Sequence, residues 1–450
     1  MKGTLLEGNI RRQLTRLAVP LLIGNVLQQL YNTVDSLVIG RYLGTDAFSA
    51  AGIAGTIMNL FIFVLTGFCT GISVLLAQIY GRGDRSAFRR EVFVSLSLGA
   101  GITLALSALF MALMRPVLRM IQSPEALIPY IEAYLRVIVG GMLATYFYNL
   151  FSSMLRAIGD TRAATFFLLV AVSVNAAVDY LFVARLGMGI AGAAWATVLS
   201  QVLSAICCLI YIFRRDRDLI CSRYDVGFEK GMVRRTLEFG FSSALHQSSL
   251  YIGKIFVQGA VNTLGTAGIA AYTATSRIEG FTNSFGTSVG QALSVFISQN
   301  YGAGKRERVR SGLKQGMLLG VGLGAALSVL MYVTARPGVL IFLDSAEETA
   351  IRYGVEYLQQ VALFYIMCFT GNAFVGYFRG VGHVYTPLAA TTMHIALRAA
   401  LSYLWAPQLG LRAVALATGA GWLLMTAFQT LMLRRSFHAE RELRAHPGMD

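Results

Sequence analysis

The sequence predicts an all-α membrane protein of twelve transmembrane helices, arranged as two pseudo-symmetric bundles of six. Three observations lead there. Hydrophobic residues make up 55% of the 450-residue chain and charged residues only 14%, against roughly 25% charged in an ordinary soluble domain. Apolar runs of the roughly 20 residues needed to cross a bilayer recur along the whole length. The second half of the chain also repeats short motifs of the first. Intrinsic disorder is excluded, because disordered chains are poor in apolar residues. With 5 cysteines in 450 residues, so is a secreted disulfide scaffold.

Spans 1 to 6 fall near 14–39, 48–80, 91–114, 130–155, 163–184 and 189–213. Span 1 contains Pro20, a predicted helix hinge because proline removes a helix hydrogen bond and bends the helix. Further along it, Gln28, Asn32 and Asp35 share one face. Span 5 carries Asn175 and Asp179 one turn apart, and span 6 carries Thr197. A strongly basic segment, 214–235, separates these spans from the rest. Spans 7 to 12 fall near 236–262, 267–300, 311–335, 351–378, 385–406 and 411–433. The predicted organisation is therefore an N-terminal lobe 1–213, a linker 214–235, a C-terminal lobe 236–434 and a tail 435–450.

The loops alternate in charge. One set holds Arg11, Arg12 and Arg16, then Arg82, Arg85, Arg89 and Arg90, then the basic linker, Lys305 to Lys314, and Arg434 and Arg435. The intervening loops hold only scattered arginines such as Arg41, Arg115, Arg185 and Arg412. Lys and Arg collect on the cytoplasmic side, so both termini are expected there, in a plasma or inner cell membrane. No small-residue cleavage site follows the first apolar run, so a signal peptide is not expected. The net charge of +15 is absorbed by this topology. No RNA- or DNA-binding signature accompanies it, and a nucleic-acid partner is not expected.

The repeat is the most informative feature. Leu43-Gly44-Thr45 recurs as Leu264-Gly265-Thr266, and at the same offset Gln78, Tyr80, Gly81 and Gly83 recur as Gln299, Tyr301, Gly302 and Gly304. Asn149, Arg156 and Gly159 recur as Asn372, Arg379 and Gly382 at an offset two residues larger. Each unit holds six spans, an even number, so both enter the membrane the same way. An axis along the membrane normal should relate them, as in transporters that rock two bundles around a central site.

The halves differ in their intramembrane charge, which costs about 2.5–3.5 kcal/mol per residue on insertion scales. The repeat mates of Asp35 and Asp179 are Phe256 and Ser402, so duplication does not demand the two acids. Asp35, Asn175, Asp179 and Thr197 together offer hard oxygen ligands for Na⁺ or a shared proton. Two carboxylates in a poorly solvated pocket cannot easily both ionise, which makes an ion-responsive switch. The structural alternative is polar glue between helices. The C-terminal half presents His246 and Gln247 in span 7, with Lys254, Arg277, Glu279 and Arg398. The simplest expectation is internal salt bridging, Glu279 pairing with Arg277 or Arg398; a basic cavity for an anionic group is the sharper one.

Three motifs lose their usual meaning in context. Gly286-Thr287-Ser288-Val289-Gly290 fits a serine-nucleophile pattern but lies inside an apolar span, where small residues pack helices. Gly187 to Gly192 fits G-x-G-x-x-G without a βαβ unit around it. The five histidines lack metal-ligand spacing. With no Walker A sequence either, neither enzymatic activity nor a cofactor is expected.

The ordered set Pro20, Gln28-Gln29-Leu30-Tyr31-Asn32-Thr33-Val34-Asp35, Leu43-Gly44-Thr45, Gln78-Ile79-Tyr80-Gly81, Arg156-Ala157-Ile158-Gly159-Asp160, Asn175-Ala176-Ala177-Val178-Asp179 and Gly192 to Thr197 resembles the multidrug and toxic compound extrusion (MATE) family over nearly the whole chain. Within it the chain is most similar to the DinF-like branch, whose acids lie in the N-lobe. The resemblance implies a V-shaped, two-bundle antiporter of the MOP type, exporting small amphipathic, often cationic compounds against H⁺ or Na⁺. It implies a cation-coupling role for Asp35, Asn175, Asp179 and Thr197, which would be the Na⁺ ligands if sodium is the ion. Gln28, Tyr31 and Tyr134 would line the N-lobe cavity, where Asn32 and Asn149 are also placed. The NorM-like branch carries C-lobe carboxylates instead, and span 7 here has none among Ser242, Ser243, His246, Gln247 and Ser248. A monomer in contact with membrane lipids is expected. The rival is a lipid-linked oligosaccharide flippase of the same superfamily, favoured by Arg398 and Arg277 and opposed by the two N-lobe acids.

Overall fold

The computed structural model describes residues 5–220 and 225–445, with the side chains of 31–38, 40, 45, 48 and 439–445 outside that description. Every regular element among the described residues is helical. The first run, α1 (Ile10–Arg82), starts on Asn9, whose side chain accepts the N–H of Arg12 at 3.1 Å. It is broken at Gly44, with φ 81° and ψ −176°, so predicted spans 1 and 2 are its two halves. Only glycine takes such a φ without strain. Next come α2 (Arg85–Met120), α3 (Ile128–Gly140), α4 (Met142–Ala157), α5 (Thr161–Asp179) and α6 (Gly189–Arg215). The second half comprises α7 (Lys230–Asn262), α8 (Gly265–Gly302), α9 (Arg306–Val333), α10 (Ala335–Leu340), α11 (Glu348–Ala362), α12 (Tyr365–Gly380), α13 (Tyr385–Leu409) and α14 (Leu411–Ala445).

Predicted spans 4 and 10 are each a bent pair: α3 and α4 meet at 46°, α11 and α12 at 54°. The breaks therefore recur with the motifs. Gly44 and Gly265, Gly83 and Gly304, and Gly159 and Gly382 all have positive φ. Local charge fixes the helix starts. Asp84 caps α2 by accepting the N–H of Ala87 at 2.8 Å. Asp160 caps α5 and also binds Tyr211 and Arg215 of α6.

Among the described residues six helices are long and apolar enough to cross a membrane, or eight if each bent pair is one span. Helices α7, α8 and α13 have crossing length but carry Lys254, Arg277 with Glu279, and Arg398. A helix that turns a polar stripe into a bundle need not be apolar all round.

The chain divides into two compact units. The first runs to Ser248 and includes Ser298–Arg306; the second takes Ser249–Ile297 and the residues from Glu307 onward. The first unit thus holds the N-terminal half of α7 and the C-terminal end of α8, beyond the lobe limit at 213 expected from sequence. Close backbone approach is the reason. A Cβ on Gly81 would strike the carbonyl oxygen of Gln299, and one on Gly302 would strike that of Gln78. Gly81 and Gly302 are repeat mates, as are Gln78 and Gln299. Each segment therefore meets the other as its own mirror partner does, the signature of a local twofold relation. In the second unit the core gathers Tyr357, Leu358, Tyr365, Phe369 and Trp422.

Candidate functional site

The site in the first unit is built on α5. Asn175 and Asp179 sit one turn apart on the same face, and both are buried, Asp179 at 0% exposure. Asn175 Nδ2 donates to Thr197 Oγ1 on α6 at 3.3 Å, joining the two helices. Directly after Asp179 the chain leaves α geometry for a π-helical turn, Tyr180–Arg185. Such turns are rare and concentrate at functional positions, because the wider winding loosens local hydrogen bonding.

Helix α1 runs beside this cluster in the same direction. Thr165 of α5 donates its hydroxyl to the carbonyl of Pro20 at 2.8 Å. Further along, the Tyr42 ring meets Tyr180 edge-on with centroids 6.0 Å apart. The stretch of α1 between these contacts is the one that contains Asp35, so its backbone passes level with the part of α5 carrying Asn175 and Asp179. The side chains of Tyr31, Asn32 and Asp35 themselves lie outside the described residues.

The remaining N-terminal predictions separate. Tyr134 on α3 is buried, its hydroxyl 3.7 Å from Met58 Sδ on α1. Asn149 donates to the Thr145 carbonyl of its own helix at 2.8 Å. Gln28 is exposed on α1.

Of the C-terminal candidates, Lys254, Glu279 and Arg398 lie within electrostatic reach of one another. His246 is buried and Gln247 half-buried in the part of α7 that belongs to the first unit. Lys254 and Arg277 are exposed in the second. Glu279 corrects the salt-bridge expectation. It is buried, and its two oxygens accept hydrogen bonds from Tyr357 at 3.0 Å and Tyr365 at 3.2 Å. Two phenols from α11 and α12 lie closer to it than either arginine, and no ion pair of Glu279 occurs among the described residues. Arg398 reaches the hydroxyl of Tyr272 at 3.5 Å and acts on Glu279 only through space. The serine motif lies within α8, where Ser288 bonds the carbonyl of Ser284 and Gly290 packs against Asn372.

Two further acids were not singled out from sequence. Glu91 of α2 is fully buried and accepts from Ser95 at 3.0 Å and Thr236 of α7 at 2.8 Å. Its position at the very start of a predicted span, where arginines dominate, was the available signal. Glu132 of α3 is clamped by Arg115 at 2.6 Å and Arg136 at 3.0 Å. The second arginine, one turn away, was visible as a helix-surface pair.

The sequence model of the MatE family matches residues 20–181 and again 242–404, one match in each half. A probable multidrug resistance protein, YpnP, of Bacillus subtilis is 27% identical over 432 residues, 95% of this chain and 96% of that protein. A probable multidrug resistance protein, NorM, of Thermotoga maritima is 26% identical over 403 residues, covering 86% and 83%. Among solved structures, the outward-facing conformation of a multidrug resistance MATE family transporter of the MOP superfamily superposes with a TM-score of 0.91. It is 22% identical, covering 98% of this chain and 99% of that one.

Proposed function

The chain belongs to the MatE family of multi-pass membrane transporters, and we propose that it is an ion-coupled antiporter that exports small amphipathic, cationic organic compounds by alternating access. One observation carries this reading: a fully buried carboxylate, Asp179, beside an amide–hydroxyl bridge between α5 and α6, at the point where α5 turns into a π-helix. We assign Asp35, Asn175, Asp179 and Thr197 as the coupling set and read the chain as a member of the DinF-like, N-lobe-coupled branch. The drug-resistance names of its relatives support the substrate class. The alternation of basic loops supports cytoplasmic termini.

Coupling then has a physical route. An ionised Asp179 attracts a cationic substrate into the N-lobe. Arrival of H⁺ or Na⁺ from outside cancels that charge, weakens the hold on the substrate, and lets the loosely wound π turn and the Pro20 region rearrange. An ion drives the change only by binding the two states differently, and a carboxylate that loses its charge in one of them meets that condition. The test is uptake of a fluorescent organic cation into proteoliposomes under an imposed pH gradient, and separately under a Na⁺ gradient. Asp179→Asn and Asp35→Asn should insert normally and abolish gradient-driven uptake. Wild-type uptake by either variant would overturn the assignment.

A further inference from the structure

A cavity lies away from the coupling set, at the other end of α1 and α5. It is a groove of about 700 Å³ between α1 and α5. Its mouth is basic: Arg12 and Arg16 from the first turns of α1 and Arg162 from the first turn of α5. Its body is apolar, with Val19, Ile23, Phe166 and Leu169 presenting exposed side chains. No acidic residue lines it. None of the three arginines enters an ion pair among the described residues. The hydroxyl of Thr165, which would otherwise make the floor polar, is spent on the carbonyl of Pro20.

We propose that this groove binds one anionic phospholipid of the cytoplasmic leaflet. The dimensions agree. From Arg12 to Leu27 the groove follows α1 for fifteen residues, on the order of 22 Å at 1.5 Å per residue. That accommodates a headgroup followed by acyl chains crossing the roughly 15 Å half-thickness of the hydrocarbon core. The charge distribution selects the headgroup: three guanidiniums around a phosphodiester offer directed, charge-assisted hydrogen bonds. Basic pockets between helices at the cytoplasmic face suit anionic lipids for this reason. The same guanidiniums repel an organic cation, so the groove is not a second entrance for the substrate class proposed above. The lipid would touch both α1 at its proline and α5, the helix that carries Asn175 and Asp179, and so bias the hinge from the membrane side.

The site is tested by binding alone, without a gradient, so its failure is distinguishable from failure of the transport reading; it depends on that reading only for the cytoplasmic orientation. The full chain, purified in neutral detergent, is titrated with dioleoyl phosphatidylglycerol or dioleoyl phosphatidylcholine and examined by native mass spectrometry. The wild type should retain one phosphatidylglycerol in preference to phosphatidylcholine. Arg12→Gln, Arg16→Gln and Arg162→Gln should each weaken retention about fivefold. Ile23→Trp, which fills the groove and leaves the arginines in place, should also weaken it, whereas Arg434→Gln with Arg435→Gln should not. Equal retention of the two lipids, undiminished retention in the triple arginine variant, or displacement of the lipid by a fluorescent organic cation would each refute the site.

Discussion

Asp179 in α5 and its repeat counterpart Ser402 in α13 are both fully buried, yet their surroundings have little in common. Beside Asp179, Asn175 bridges to a hydroxyl on the next helix at 3.3 Å. Beside Ser402, the counterpart of Asn175 is Arg398, which touches a tyrosine hydroxyl at 3.5 Å. After Asp179 the backbone passes into a π turn, whereas α13 runs on as α-helix to Leu409. Thr197 serves the bridge; Thr418, its counterpart when Gly189 is aligned with Gly410, bonds the carbonyl of Val414 in its own helix at 2.7 Å. The buried acid of the second half, Glu279, stands elsewhere and is held by two phenols. Duplication has preserved the scaffold and its breaks, while the interior chemistry has diverged. An acid beside a loosened helix is suited to gaining and losing an ion; one tied down by two tyrosines is suited to holding helices together.

That contrast can be broken by experiment. The largest effect is expected from Asp179→Asn, which should reduce gradient-driven uptake in proteoliposomes to the level of empty vesicles. Adding Ser402→Asp to it should restore nothing, because the second site lacks the amide–hydroxyl bridge and the π turn. Rescue by Ser402→Asp would mean that the two halves are interchangeable after all. Next come Gly81→Ala and Gly302→Ala. Each pushes a methyl into the carbonyl of the opposite repeat, and overpacking of this kind costs about 1–3 kcal/mol. The two should lower the melting temperature of the detergent-solubilised protein by similar amounts, and markedly unequal losses would contradict the reciprocal contact.

Glu279→Gln sharpens the division of labour. It should keep the ion dependence of transport, while thermal stability falls by about 1–3 kcal/mol as the tyrosine hydrogen bonds are disturbed. Loss of ion dependence with stability intact would instead make Glu279 a coupling residue. The smallest effect is expected at the hydroxyls. Thr197→Ala should raise the ion concentration for half-maximal uptake by about threefold to tenfold, the equivalent of one neutral hydrogen bond. Thr418→Ala should leave it unchanged.

Much of this was legible beforehand. The repeat offset paired Gly44 with Gly265, and both take positive φ. The span list foretold where most helices run, because apolar length is a local property, but not α10 or the bends that split spans 4 and 10. That Asn175 and Asp179 share one face of α5 followed from helical spacing alone. What escaped was most of the contacts between elements distant in sequence. Glu279 invited a salt bridge because Arg277 and Arg398 were the charges in view. The phenols that bind it lie on α11 and α12, and a tyrosine gives no sign in sequence of where its hydroxyl will point. Glu91 was passed over because Thr236, the hydroxyl that binds it from α7, lies far along the chain.

By itself, then, the sequence determined the membrane setting, the all-helical class, the order of the spans and their duplication. Each of these rests on composition, spacing or periodicity, which act within a helix or between copies of a motif. The tertiary structure decided which polar atoms share a partner, where α5 unwinds, which parts of α7 and α8 pack with the first unit, and the existence of a basic-mouthed groove between α1 and α5. Those depend on how side chains from remote segments fill one another's space, and close packing is a property of the assembled bundle that no single segment encodes.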